Sequence, residues 1–201
     1  MRKATKNVAF WLGILAGIAG LEHGYFEILQ GNTRPAGLAF ASWGANICDL
    51  AKMWHACEPA MSILPNFLAT GILTILLSLA VIAWSIWFIQ RKYGGWALIG
   101  LSIVLLLFGG GFFPPLIGLI GGAAGTQINR SFSGQPGAFT RFAAKIWPWP
   151  LVLLVGWLLA QFLVGYFFND ALKSVMGLVL LFIVASLPLS VYVGYAHDAA
   201  H

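Results

Sequence analysis

Side chains that could exchange protons or bind a metal ion are concentrated in two short stretches of the first third of the chain. The first is "LEHGYFE", which places Glu22, His23 and Glu27 directly after a stretch from 7 to 21 that has no charged residue. Carboxyl and imidazole groups are the commonest general acids and bases. His23 and Glu27 are four residues apart and share a face if the segment is helical. The three residues are therefore the candidate catalytic groups.

The second stretch is "WHACEP", in which His55 and Glu58 are three residues apart. Two imidazoles and two carboxylates are an acceptable ligand set for zinc, manganese or iron. The candidate ligands of such a divalent metal cofactor are His23, Glu27, His55 and Glu58. No spacing rule links the two stretches, and polar residues at the surface of a helix explain the same pattern without a metal.

The composition places these stretches in a membrane protein. Of 201 residues, 60% are hydrophobic and only 8% are charged, whereas soluble domains carry about 25% charged residues. A surface with so few charges suits lipid as the solvent. The net charge of +5 comes from short connecting segments, as in cytoplasmic loops of membrane proteins. Membrane lipid is therefore the expected partner, and nucleic acid is not.

The predicted fold class is all-α: one transmembrane domain over residues 1–201, a polytopic bundle of about six membrane helices. A short amphipathic helix at about 46–57, with apolar residues at helical spacing, is expected to lie at the membrane interface. If it is a helix, Cys48 and Cys57 are about 13 Å apart, too far for a disulfide, so helix and disulfide are alternatives. The predicted spans are about 7–28, 63–89, 96–110, 114–127, 151–168 and 174–195.

The uncharged stretch from 96 to 128 contains "GGGFFPP" at 109–115. One helix of that length would be about 50 Å long, too long for a single crossing. Three glycines followed by two prolines break a helix, and proline suits the first turn of the next one. The sequence predicts a hairpin of two short helices, either crossing the membrane or forming a re-entrant pair.

The distribution of lysine and arginine favours the hairpin. With it, the segments 1–6, 90–95 and 129–146 share one side and carry eight of the 11 basic residues. The positive-inside rule then places both termini in the cytoplasm, in a plasma (inner) membrane. The first helix would end on the outer side.

The depth of Glu22, His23 and Glu27 has two interpretations. If the first helix continues to Ile28, Glu22 and His23 lie within the outer leaflet and Glu27 lies near the outer boundary. The face that carries Gly20, His23, Gly24 and Glu27 then points into the bundle. If the helix ends near Leu21, the same groups are hydrated at the interface.

Three functions fit these features. The first is binding or transport of a small molecule or ion at an outer-leaflet polar site. The second is an intramembrane enzyme acting on a lipid or isoprenoid-like substrate, with or without a metal. The third is an accessory subunit of a larger membrane complex or homo-oligomer. The sequence has no P-loop, Gly-x-Ser-x-Gly or His-Glu-x-x-His motif, which argues against an ATPase, a serine hydrolase and a standard zinc protease.

Overall fold

The computed structural model describes residues 1–42, 58–132 and 135–201. In these ranges the chain is mostly helical, which confirms the helical fold class. A short antiparallel pair of strands, which the sequence did not predict, places Phe40 opposite Ala60. The helices are α1 (Lys3–Leu29), α2 (Phe67–Trp87), α3 (Gly94–Leu107), α4 (Phe113–Gly125), α5 (Ala138–Ala144), α6 (Trp149–Phe167), α7 (Asn169–Ser174) and α8 (Met176–Ala200), and the strands are β1 (Ala39–Ala41) and β2 (Pro59–Met61).

Four helices, α1, α2, α6 and α8, are long and apolar enough to cross a membrane. The helices of the predicted hairpin, α3 and α4, have 14 and 13 residues. At 1.5 Å per residue each is about 20 Å long, less than the ~30 Å hydrocarbon core of a bilayer. The structure thus supports four membrane helices, and a count of six depends on whether the short pair crosses.

The second span begins later than predicted. Helix α2 starts at Phe67 rather than near residue 63, because the side chain of Asn66 caps it by accepting a hydrogen bond from the Ala69 backbone N–H at 2.9 Å. The residues directly before Asn66 form bends rather than a helical turn. The backbone N–H of Ile63 donates to the Leu107 carbonyl at 3.0 Å, which ties this segment to the end of α3.

The break between α3 and α4 is confirmed. Helix α3 ends at Leu107, and α4 starts at Phe113 with two prolines in its first turn. In the intervening turn, Gly109 and Gly111 have φ angles of +97° and +74°. Only glycine adopts such angles without strain, so the three consecutive glycines allow the chain to reverse between two short helices.

Helix α1 lies at the centre of the bundle and packs against α2, α4 and α8. Its glycines face α2: a Cβ atom on Gly71 would lie only 2.6 Å from the carbonyl oxygen of Gly24. Such backbone contact is the result of small residues at four-residue spacing. The glycine face of α1 is therefore directed into the bundle, together with the acidic and imidazole side chains that share it.

The termini lie at the same end of the bundle, here called the basic end and defined by Arg2, Gln90, Ile128 and Asp198. The Arg2 backbone N–H donates to the Ile128 carbonyl at 2.9 Å, and Lys6 Nζ donates to Gln90 Oε1 at 3.3 Å. The opposite end, where α1 ends and α4 begins, is called the site end.

Replacing Asp198 with alanine should lower the stability of the protein, because this residue holds α1 and α8 together at the basic end. The Asp198 carboxylate accepts from the backbone N–H groups of Ala4 and Thr5 at 2.9 and 2.7 Å and so caps α1 from another helix. Loss of a cap costs about 1 kcal/mol, or about 2–4 °C in Tm for a chain of this size. The fall in Tm is measured by following tryptophan fluorescence while the protein is heated in detergent. The control is Asp170→Ala, whose exposed pair with Lys173 contributes little; equal losses would refute the capping role.

Candidate functional site

Helix α1 carries the three candidate catalytic residues and remains helical through Leu29. The interpretation in which the helix ends near Leu21 is therefore wrong. His23 is only 2% exposed and Glu27 is completely buried, whereas Glu22 is half-buried. Burial of the first two follows from their position on the glycine face, which packs against α2 and the α3–α4 turn.

His23 has a hydrogen-bond partner on each ring nitrogen. Its Nδ1 lies 2.6 Å from Ser42 Oγ, and its Nε2 lies 3.2 Å from Glu58 Oε2. One placement of the hydrogens satisfies all three groups: the Ser42 hydroxyl donates to Nδ1, and Nε2–H donates to the Glu58 carboxylate. The three side chains thus form a hydrogen-bonded row from the buried Ser42 to the partly exposed Glu58.

The small sheet positions the two partners of His23. Ser42 directly follows β1 and Glu58 directly precedes β2, and the Ser42 backbone N–H donates to the Glu58 carbonyl at 3.2 Å. The side-chain amide of Gln30, at the end of α1, donates to the Ser42 carbonyl at 2.6 Å. The sequence paired His23 with Glu58 as metal ligands but gave no signal for Ser42, a single serine with no motif around it.

Glu27 lies one helical turn beyond His23 and has different neighbours. Its Oε2 atom is 3.4 Å from the hydroxyl of Thr74 in α2. Its Oε1 atom is buried and has no hydrogen-bond partner in the described part of the chain. The Thr74 hydroxyl also lies within hydrogen-bond distance of the carbonyl oxygen of Phe108, the residue that follows α3.

The glycine turn between α3 and α4 covers both buried side chains. A Cβ on Gly109 would lie 2.5 Å from the Glu27 carboxyl group, and one on Gly111 would lie 2.4 Å from the His23 ring. The two motifs that stand out in the sequence, "EHGYFE" and "GGGFFPP", therefore meet at the site end. Glycine is needed there both for the left-handed backbone and for the close approach.

The four candidate metal ligands are only partly brought together. His23 contacts Glu58, Glu27 bonds to Thr74 instead, and His55 lies outside the described residues. Within residues 1–42, 58–132 and 135–201, no three His, Cys, Asp or Glu side chains form a group that could hold a metal ion. The predicted interfacial helix at 46–57, with Cys48 and Cys57, also lies outside these ranges.

A cavity of about 340 Å³ lies beside the row formed by Ser42, His23 and Glu58. It is lined by α1, α4, α6 and α8 and by Glu58 and Pro59, and most of its wall is aliphatic or aromatic. Three polar side chains also line it, Glu22, Glu58 and Gln161. The apolar lining includes Leu15, Ile18, Phe113, Ile117, Leu158, Phe162, Met176, Val179 and Ile183.

The polar lining lies toward the site end. Glu22 is in the last third of α1, Glu58 precedes β2, and Gln161 is in the second half of α6, which starts at the basic end. The deeper wall, at Leu15, Ile117 and similar residues, is entirely apolar. The cavity is therefore amphipathic along its length.

The cavity reaches the outer surface of the bundle between helices. Ile18, Leu159, Phe162 and Leu180 line it and are each more than a third exposed. Large apolar side chains at such an opening are in contact with lipid when the helices are in a membrane. A hydrophobic chain could therefore enter from the bilayer.

Sequence reasoning missed this cavity. Gln161 is a single polar residue within an apolar span, which by itself indicates no cavity, and the apolar lining residues resemble any other lipid-facing or core residues in composition. The sequence indicates Glu22 as a candidate for proton transfer and Glu58 as a candidate metal ligand, and neither role implies an apolar cavity.

Comparison of the chain with known protein families, with curated proteins and with solved structures found no match.

Proposed function

We propose that this protein binds a membrane amphiphile, with the apolar chain of the ligand in the cavity between α1, α4, α6 and α8. The observation that carries the proposal is the cavity itself: its volume of about 340 Å³ falls within the 300–1,000 Å³ of small-molecule sites. Its apolar depth, three polar side chains and lateral opening match a molecule that partitions into lipid.

The polar lining indicates the chemistry of the head group. Glu22 and Glu58 contribute carboxyl groups and Gln161 an amide, so acceptor oxygens predominate. A head group that donates hydrogen bonds, and above all a protonated amine, is complementary to them. An anionic head group such as a fatty-acid carboxylate would be repelled. The proposed ligand is therefore a long-chain amine or a similar cationic or donor-rich amphiphile.

The proposed setting is a plasma membrane, with six crossings and with both termini in the cytoplasm. The termini share the basic end with the segments after α2 and α4, and these segments carry eight of the 11 lysine and arginine residues. By the positive-inside rule the basic end faces the cytoplasm. The site end and the polar part of the cavity then lie in the outer leaflet.

Photolabelling of the purified full-length protein tests this binding. The probe is a diazirine derivative of hexadecylamine, competed with unlabelled hexadecylamine or with hexadecanoic acid. We expect saturable labelling, with competition by the amine and much weaker competition by the acid. Labelling that neither compound reduces would refute the proposal.

A matched pair of variants checks the location. Leu159→Trp places a bulky ring at the cavity opening, whereas Leu163→Trp lies one turn further along α6 and outside the lining. Overfilling costs about 1–3 kcal/mol, so Leu159→Trp should weaken competition by hexadecylamine about tenfold. Leu163→Trp should leave it unchanged. Equal behaviour of the two variants would place the ligand elsewhere.

A second candidate function is catalysis on the bound amphiphile, and the row formed by Ser42, His23 and Glu58 favours it. Glu58 lines the cavity while His23 and Ser42 support it from behind, which is the arrangement of a general base held by hydrogen bonds. Ser42 is fully buried and does not line the cavity, so it would position His23 rather than attack the substrate. Chemical conversion of bound hexadecylamine analogues by wild type but not by Glu58→Gln would establish catalysis.

A further inference from the structure

A second polar site lies at Glu27, away from the cavity. The carboxyl group of Glu27 is completely buried, and no lysine, arginine or histidine in the described part of the chain forms a hydrogen bond or ion pair with it. An isolated buried carboxylate is costly in a protein interior or a membrane. Because the described side chains supply no positive charge, the group is neutralised either by a proton or by a bound cation.

The atoms around this carboxyl group are oxygens. The Thr74 hydroxyl lies 3.4 Å from Glu27 Oε2 and also contacts the carbonyl oxygen of Phe108. Thr74 has a single hydrogen, which one of these two oxygens can accept at a time. Glu27 Oε1 has no partner among the described residues. The cluster therefore contains more acceptor oxygens than hydrogens.

The backbone adds negative potential at the same point. Phe108 is the C-terminal cap of α3, and carbonyl groups at the end of a helix carry the negative pole of its dipole. The turn that follows brings Gly109 against the Glu27 carboxyl group. Carbonyl groups at the end of a short, interrupted helix are a recurring type of cation ligand in membrane proteins.

We propose that Glu27, Thr74 and the Phe108 carbonyl bind a small monovalent cation, with Na⁺ as the best chemical match. Carboxylate, hydroxyl and carbonyl oxygens are ligands for hard cations. One carboxylate balances one positive charge, and a divalent ion would leave an excess charge in a buried site. The bound cation would supply the partner that Glu27 Oε1 lacks.

This site goes beyond amphiphile binding and does not depend on it. It uses none of the residues that line the cavity. The two sites do share a contact, because the turn that touches Glu27 through Gly109 also touches His23 through Gly111.

Melting of the full-length protein in detergent tests the cation site. NaCl replaces N-methyl-D-glucamine chloride at constant ionic strength, so that only the cation changes. A ligand bound only by the folded state raises Tm with the logarithm of its concentration once that exceeds the dissociation constant, and we expect a rise of about 5–11 °C at Na⁺ concentrations 100-fold above the dissociation constant. A Tm that does not depend on Na⁺ would overturn the proposal.

Variants locate the effect. Glu27→Gln and Thr74→Val should each abolish the Na⁺-dependent shift. Thr5→Val removes another fully buried hydroxyl, one without a partner in the described ranges and at the basic end, and should retain the shift. Direct binding of radioactive sodium to the wild type, displaced by unlabelled Na⁺, is a second measurement that needs no variant. A shift that survives in Glu27→Gln, or absence of displaceable sodium, would contradict the site.

Discussion

Replacing Gly111 with alanine should destabilise the protein by about 2–5 kcal/mol. Gly111 has a φ of +74°, where an L-residue costs about 1–2 kcal/mol. The added Cβ would also lie 2.4 Å from the His23 ring. This ring cannot move away freely, because both of its nitrogens are hydrogen-bonded, and such overpacking costs about 1–3 kcal/mol more.

The control for this variant is Gly100→Ala. Gly100 lies within α3, and a Cβ there would meet no atom within 4 Å. Alanine is preferred to glycine in a helix by about 1 kcal/mol, so this variant should melt at the same temperature as the wild type or slightly higher. Tryptophan fluorescence in detergent measures both variants. A Gly111→Ala protein as stable as Gly100→Ala would show that the turn does not press against His23.

Replacing Gly71 with leucine should separate α1 from α2, at a cost of about 3 kcal/mol. The new Cβ would lie 2.6 Å from the Gly24 carbonyl oxygen and 2.8 Å from the Ile28 backbone nitrogen. Both are backbone atoms of another helix and cannot rotate out of the way, so the cost should reach the upper part of the overpacking range. The expected result is a fall in Tm of about 6–12 °C.

Gly156→Leu is the matched control for this substitution. Gly156 lies within α6, and a Cβ there would also meet nothing within 4 Å. The same change of glycine to leucine should therefore leave the melting temperature unchanged or raise it. If the two leucine variants lost equal stability, close backbone packing between α1 and α2 would not be what holds them together.

The helices could be predicted because their signals are local. Uncharged stretches of sufficient length mark α1, α2, α6 and α8. The residues "GGGFFPP" mark the break between α3 and α4, since glycine allows left-handed angles and proline lacks the N–H of a helix interior. The glycine face of α1 indicated which side of the helix packs inward.

The site could be predicted only in part, since its partners are distant in sequence. Ser42 and Glu58 lie 19 and 35 residues from His23, and the pairing of β1 with β2 decides that both reach it. Strands of three residues leave almost no periodic pattern. The start of α2 differed for a similar reason, because the backbone N–H of Ser62 pairs with the distant Leu38 carbonyl at 2.9 Å and Asn66 caps the helix instead.

Prediction of the cavity is harder again, because it depends on packing between helices that are far apart in sequence. It forms where α6 and α8 meet α1 and α4, and nothing in the composition of those helices separates residues that line a cavity from residues that face lipid. Glu22 illustrates the limit: the sequence marks it as a site residue, while only the arrangement of four helices shows that it lines an apolar cavity.

Identification of the residues labelled by the diazirine derivative of hexadecylamine would test amphiphile binding most directly. Mass spectrometry of the labelled wild-type protein should place the saturable label on residues at the cavity, such as Phe162, Met176 and Leu180, and unlabelled hexadecylamine should remove it. A label spread over exposed lipid-facing residues such as Leu153, Leu163 and Leu181, without saturation, would show that the cavity binds no amphiphile of this class.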